Sequence, residues 1–120
     1  MKFVEDLHGQ KIMWLGELEK NGTKSEFHKL LKRWEGDNRQ IFVSFDVDCI
    51  RGCDMPGVSC PSPIGITAGD ATRICYLAGE NKNVSIVDFS ELNVAIEDDL
   101  SSRLVCLMIY NFLLGITARQ

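Results

Sequence analysis

The 120-residue chain predicts an α/β fold in which helices cover a parallel sheet. Three observations carry that expectation. Short apolar runs of strand length alternate with segments of helical periodicity. Two of the strand-like runs end in acidic residues, at Asp46–Asp48 and at Asp88–Glu91. Between them lies a long segment, Cys49 to Gly65, rich in Pro, Gly, Ser and Cys, of the kind that carries function in compact domains.

Taken in order, residues 1–8 read as the last turns of a helix, with Phe3, Val4 and Leu7 on one face and Gly9 as terminator. Lys11-Ile12-Met13-Trp14-Leu15 is a short apolar run expected to be a strand. Thr23-Lys24-Ser25-Glu26 has the spacing of a capping box, and Phe27, Leu30, Leu31 and Trp34 follow at helical intervals. Gly36 to Arg39 is a turn into a strand over Gln40 to Asp46. Thr67 to Asp70 repeats the cap logic for a helix that reaches about Ala78 before Gly79. Val84 to Phe89 is a third strand, and Asp98 or Asp99 opens the last helix, where acids favour the positive end. Three strands make a narrow sheet and the chain opens in the tail of a helix, so the N-terminal part of the fold is expected to be missing.

Composition narrows the function classes. The hydrophobic share of 45% and charged share of 25% suit one globular domain. Seventeen acidic residues outnumber thirteen basic ones, and the basic residues form no stripe, which argues against a nucleic-acid partner. No signal-peptide core follows Met1. Leu104 to Ile116 is the one membrane candidate, but it falls short of the roughly 20 apolar residues a span requires. It reads as a buried helix, and the protein as soluble and cytoplasmic, with no membrane partner. An odd number of cysteines favours reduced thiols. Cys49, Cys53 and Cys60 lack the knuckle spacing of a zinc site. Cys75 and Cys106 are expected in the core, as are Trp14, Trp34, Phe42, Phe45, Tyr110 and Phe112.

The most informative residues are Ser44-Phe45-Asp46-Val47-Asp48. Side chains two apart on a strand share a face, so Asp46 and Asp48 are expected to present adjacent carboxylates at a strand's carboxyl end, where α/β sheets carry ligand sites. Hard oxygen donors in that position suit Mg²⁺ or Mn²⁺. The pair by itself serves equally well as a cap on the following loop. Arg51 behind it either faces solvent or meets a substrate carboxylate. His8 and His28 read as surface residues.

This pattern resembles the C-terminal part of the ureohydrolase family, which includes arginase, agmatinase and formimidoylglutamase. SFDVD, the loop Pro56-Gly57-Val58-Ser59-Cys60-Pro61 and the strand end Asp88-Phe89-Ser90-Glu91-Leu92-Asn93 carry the resemblance, which runs from about Ile12 onward. It implies an arginase-like three-layer α/β/α fold, with residues 1–120 the C-terminal part of a single domain. It also implies two Mn²⁺ ions that activate water for attack on C–N bonds of small amidine or guanidino substrates. Asp46 and Asp48 match two metal ligands of the family, and Glu91 matches the glutamate that contacts the substrate's amidine or guanidinium group. The PGVSxP loop and Ile96-Glu97-Asp98 look more like formimidoylglutamases, which implies N-formimino-L-glutamate as substrate. Arginase-type or agmatinase-type chemistry, or a non-catalytic interaction module, are the alternatives. Related enzymes are often trimers or hexamers, which extends to this chain as a homo-oligomer. The GGxH and DAHxD motifs that supply the other ligands are absent, so the chain alone is expected to be inactive and to hold manganese substoichiometrically.

Overall fold

The computed structural model describes residues 11–34 and 40–119. The helix expected over residues 1–8 with its Gly9 terminator, His8, and the turn at Gly36 to Arg39 lie outside the described residues. The elements run α1 (Leu15–Asn21), α2 (Thr23–Trp34), β1 (Ile41–Asp46), a 3₁₀ turn (Val47–Cys49), α3 (Ala68–Glu80), β2 (Val84–Ser90) and α4 (Leu100–Thr117).

Lys11–Leu15 is not the strand its composition suggests. Leu15 opens α1, because the Trp14 carbonyl accepts from the Glu17 and Leu18 amides while Glu17 Oε2 accepts from the Trp14 amide at 3.1 Å. This local closure uses the backbone groups that a strand would offer a neighbour. The sheet among the described residues therefore has two strands rather than three. They pair in parallel, with Phe42 opposite Ile86, Phe45 opposite Phe89 and Asp46 opposite Ser90. The intervening α3 is the crossover that a parallel pair requires.

Alternation along the strands sorts the two faces. Ile41 and Phe45 turn into a core shared with Leu31 of α2, Ile74, Cys75, Leu77 and Ala78 of α3, and Leu104, Val105 and Met108 of α4. The Phe45 and Phe89 rings stack tilted at 6.1 Å on this side. Phe42 and Ile86 stand side by side on the opposite face, 61% and 60% exposed. The described residues thus supply the sheet and one helical layer of an α/β/α sandwich. Phe42 is not core here because the face it occupies is uncovered.

Several other residues expected in the core are also at the surface. Trp14, Trp34, Tyr110 and Cys106 are exposed, whereas Cys75 is buried, its thiol pushed up to about 12 by desolvation. The helix expected to be wholly buried, α4, is apolar all round but buries only one side. Leu107, Tyr110 and Leu113 lie on the other side, exposed. By length and composition α4 meets the requirement for crossing a bilayer, and 28% of it is buried, on the side that packs against α3. It crosses α3 where Gly79 meets Gly115, and a methyl on Gly79 would overlap the Phe112 carbonyl oxygen. Gly79 therefore lies inside α3 rather than terminating it. Arg119 closes this corner, with Nε donating to the Gly79 carbonyl at 2.7 Å and Nη2 to that of Val84 at 3.0 Å.

Helix starts divide in the same way. The Thr67–Asp70 capping box forms as its spacing requires, with reciprocal bonds between each side chain and the other's amide. Ahead of α2, Gly22 takes a left-handed φ of 86° and its carbonyl accepts the Glu26 amide. Helical geometry starts at Thr23 itself, and the Glu26 carboxylate binds Lys29 at 2.8 Å.

Candidate functional site

The strand ends at Asp46, and the chain tightens at once into the 3₁₀ turn that holds Asp48. Asp46 Oδ1 accepts the Asp48 amide at 3.2 Å. The cap reading of the pair is realised in this geometry. Asp46 caps the turn, and the turn, rather than strand alternation, brings the second carboxylate beside the first. Asp48 is half-buried, and its carboxyl is held above the usual range. Partial desolvation is the largest cause, followed by the Asp46 charge, a hydrogen bond with Asp46 and the charge of Glu91.

Glu91 reaches this neighbourhood from the end of β2. Its φ of 69° is the left-handed conformation, which costs a non-glycine residue about 1–2 kcal/mol. Such a backbone persists where its surroundings over-determine it. Here Leu92 forms an antiparallel bridge with Val58, and the Asn93 amide donates to the Gly57 carbonyl at 2.8 Å. The segment bearing Glu91 is therefore tied to the Pro56–Val58 loop.

That loop is itself part of the core. Ile50, Met55 and Val58 are fully buried, each such side chain contributing about 1.5–3 kcal/mol by the area it removes from water. Parallel bridges join Ile50 to Ile66 and Arg51 to Ser62. Arg51 is neither a free loop cation nor aimed at the acidic cluster. Its Nε and Nη2 donate to Asp54 at 2.8 and 3.3 Å, and Asp54 also accepts the Ala68 amide at 2.9 Å. Arg51 and Asp54 thus latch the loop to the start of α3. His28 is exposed on α2, away from the acids. Among the described residues no three His, Cys, Asp or Glu side chains come close enough to enclose a metal ion. Asp46 and Asp48 form a pair with Glu91 further out.

Sequence reasoning missed the role of Glu97 and Ser101. The start of α4 is capped neither by Asp98 nor by the Asp99 side chain. The Glu97 carboxylate accepts from the amides of Asp99, Leu100 and Ser101 at 2.8 to 2.9 Å and from Ser101 Oγ at 2.6 Å. Ser101 is fully buried, and its Oγ accepts the Gly57 amide at 2.7 Å. The available signal was the Glu97-x-x-x-Ser101 spacing, one helical turn at the head of an apolar run. These bonds, the one from the Ser101 hydroxyl first, hold the Glu97 carboxyl down at about 2.

A pH dependence follows. Folded Glu97 binds its proton less tightly than unfolded Glu97, so its stabilisation is complete above the ordinary carboxylate range and lost as pH falls through about 2. Glu97→Gln should flatten the decline of Tm between about pH 4.5 and about pH 2. Parallel Tm–pH curves for the variant and the parent would contradict that assignment.

A parallel β-α-β unit gathering acidic side chains at its strand ends is the layout of an α/β enzyme with its site at the carboxyl edge of the sheet. Residues 1–115 match the arginase family, and the chain belongs to that family. A Trypanosoma cruzi formiminoglutamase solved with Mn²⁺ superposes with a TM-score of 0.86 and 39% identity, covering 99% of this chain and 39% of that one. The formimidoylglutamase of Bacillus subtilis gives a TM-score of 0.90 at 18% identity, over 98% of this chain and 37% of that one, a likeness of fold. An agmatinase of Chromobacterium violaceum is 25% identical over 112 residues, covering 87% of this chain and 34% of that protein. The chain thus spans roughly a third to two-fifths of the length of these relatives. The superpositions bear out the arginase-like fold expected from the sequence, of which the described residues form two strands and one helical layer.

Proposed function

We propose that this chain is the C-terminal part of a single ureohydrolase domain that hydrolyses N-formimino-L-glutamate to glutamate and formamide with two Mn²⁺ ions. The observation that carries this reading is the Asp46–Asp48 pair in the turn that closes β1, with Glu91 at the end of the neighbouring β2. Its support is the 39% identity, over 99% of the chain, to a formiminoglutamase solved with Mn²⁺.

The donor set fits the metal. Asp48 is raised by partial desolvation first and by the neighbouring Asp46 charge second, and a divalent cation with hard oxygen ligands would offset both. Asp46 and Asp48 would hold manganese, with the remaining donors supplied by the portion of the relatives' length that this chain does not span. When bound, the metal supplies Lewis acidity that activates water near neutral pH. Glu91 would accept charge-assisted hydrogen bonds from the amidinium N–H groups and fix the plane of the reacting carbon. Water's oxygen joins that carbon, the C–N bond to the glutamate nitrogen breaks, and that nitrogen takes a proton. The charge of Glu91, facing a cationic amidinium, favours substrate over the neutral formamide product.

Guanidino hydrolysis is the second reading, favoured by the agmatinase similarity. The test is to load the full gene product that carries this chain with Mn²⁺ and supply N-formimino-L-glutamate, arginine and agmatine separately. Formamide and glutamate from the first alone are expected. Urea from arginine or agmatine would transfer the assignment to guanidino hydrolysis. Stoichiometric manganese with no turnover of any of the three would leave a non-catalytic module.

A further inference from the structure

We propose that Glu97 and Ser101 form a positioning pair for Glu91, acting through the Gly57 peptide units. The inference rests on the functional reading of Glu91 above. The links are continuous. The Ser101 hydroxyl donates to the Glu97 carboxylate at 2.6 Å, and the Ser101 oxygen accepts from the Gly57 amide at 2.7 Å. The Gly57 carbonyl accepts the Asn93 amide at 2.8 Å, two residues beyond Glu91. Gly57 is thus held on both its N–H and its C=O, one towards α4 and the other towards the Glu91 turn.

Packing leaves this clamp no slack. A methyl group on Gly57 would meet the Glu97 carbonyl oxygen at 2.5 Å and Ser101 Oγ at 2.7 Å. Gly57, Val58 and Ser101 are all buried, so neither the Gly57 amide nor the Ser101 hydroxyl can turn to water for a substitute partner. At the far end of the chain of bonds, Glu91 sits at a φ of 69°, a conformation that relaxes unless it is held. The rigid start of α4, secured by three amide bonds to Glu97, is the anchor. Asp46 and Asp48 depend on a different element, the turn after β1, so the clamp acts on the substrate side of the site and not on the metal side.

Thr and Val at position 101 have nearly the same shape and differ in the hydroxyl, which separates hydrogen bonding from packing. In the full gene product, both variants add the same bulk to this buried position, so the comparison is made between the two of them. Ser101→Val should lower kcat/KM for the amidine substrate at least tenfold relative to Ser101→Thr, with equal manganese content in both. Equal kcat/KM in the two variants, or manganese lost only from Ser101→Val, would overturn the proposal. A second measurement does not depend on turnover. Glu97→Gln should speed deuterium uptake across residues 91–96 while leaving that of β1 unchanged. Unaltered uptake over residues 91–96 would overturn the coupling even if the enzyme is active. Faster uptake there in a protein that hydrolyses no amidine would uphold the coupling and reject the functional reading instead.

Discussion

Asp46→Asn and Asp48→Asn are each expected to lower kcat of the full gene product by about 10³-fold or more, since in the proposed reaction the metal's stabilisation of the transition state would be worth several kcal/mol. Asparagine keeps the shape of aspartate and an oxygen for the turn, but removes a charge that offsets that of Mn²⁺. Manganese content should fall below that of the parent in both variants. The stability of the metal-free protein should move the other way. The Asp48 carboxyl is held above its usual range, so folded Asp48 binds its proton more tightly than unfolded Asp48. Its contribution is present below the ordinary carboxylate pKa and lost as pH rises through the raised one. Near neutral pH the metal-free parent carries that penalty, and Asp48→Asn removes it. After metal removal by chelation, Asp48→Asn should melt at or above the parent's Tm near pH 7. A lower Tm together with undiminished manganese binding would show that the Asp48 carboxylate has a structural role alone.

The second large effect is on stability, at the crossing of α3 and α4. Gly79→Ala would put a methyl within 2.0 Å of the Phe112 carbonyl oxygen, and Gly115→Ala one within 2.2 Å of the Tyr76 carbonyl oxygen. Both obstacles are backbone, so relief requires the helices to separate along a contact that also buries Cys75, Val105 and Met108. Overpacking of this kind costs about 3 kcal/mol or more, at the upper end of the usual range. Each variant should therefore lose about 10 °C in Tm. Gly16→Ala is the control, because nothing lies within 4 Å of its added methyl and the residue sits in α1, where alanine is the better helix former. Thermal melts of the three variants check this. Similar losses at all three positions would mean that the crossing is not what fails.

How far these features are legible in the sequence depends on where their information resides. The capping box at Thr67 and Asp70 is local, three residues apart, and the structure forms it as read. Strands β1 and β2 are marked by dense β-branched and aromatic residues ending in acids, and their bounds agree with expectation to within a residue. Lys11–Leu15 has the same apolar density, but a strand exists only with a partner, and Trp14 instead closes a helical turn with Glu17 and Leu18. For α4, apolar all round, the sequence carries no period to say which side meets α3. Cys106 and Tyr110 therefore read as core residues, whereas both are exposed. Glu97 was read past because Asp98 and Asp99 are the more familiar cap positions. Its bonds to Ser101 are local, but the bond from the Gly57 amide to Ser101 Oγ joins residues 44 apart in the chain.

The α/β class, the acidic strand ends, the functional loop and the family resemblance are all determined by the sequence alone. Each is written in contiguous residues or in fixed spacings along the backbone. The tertiary structure alone decided how the acids meet. Asp48 reaches Asp46 through a 3₁₀ turn, and Glu91 follows β2 at a left-handed φ, in a segment tied to Gly57 and through it to the buried Ser101. Contacts of that kind depend on which segments pack together in space. No local pattern encodes a hydrogen bond between residues 57 and 101 until the core formed by α3, α4 and the loop has brought them within reach.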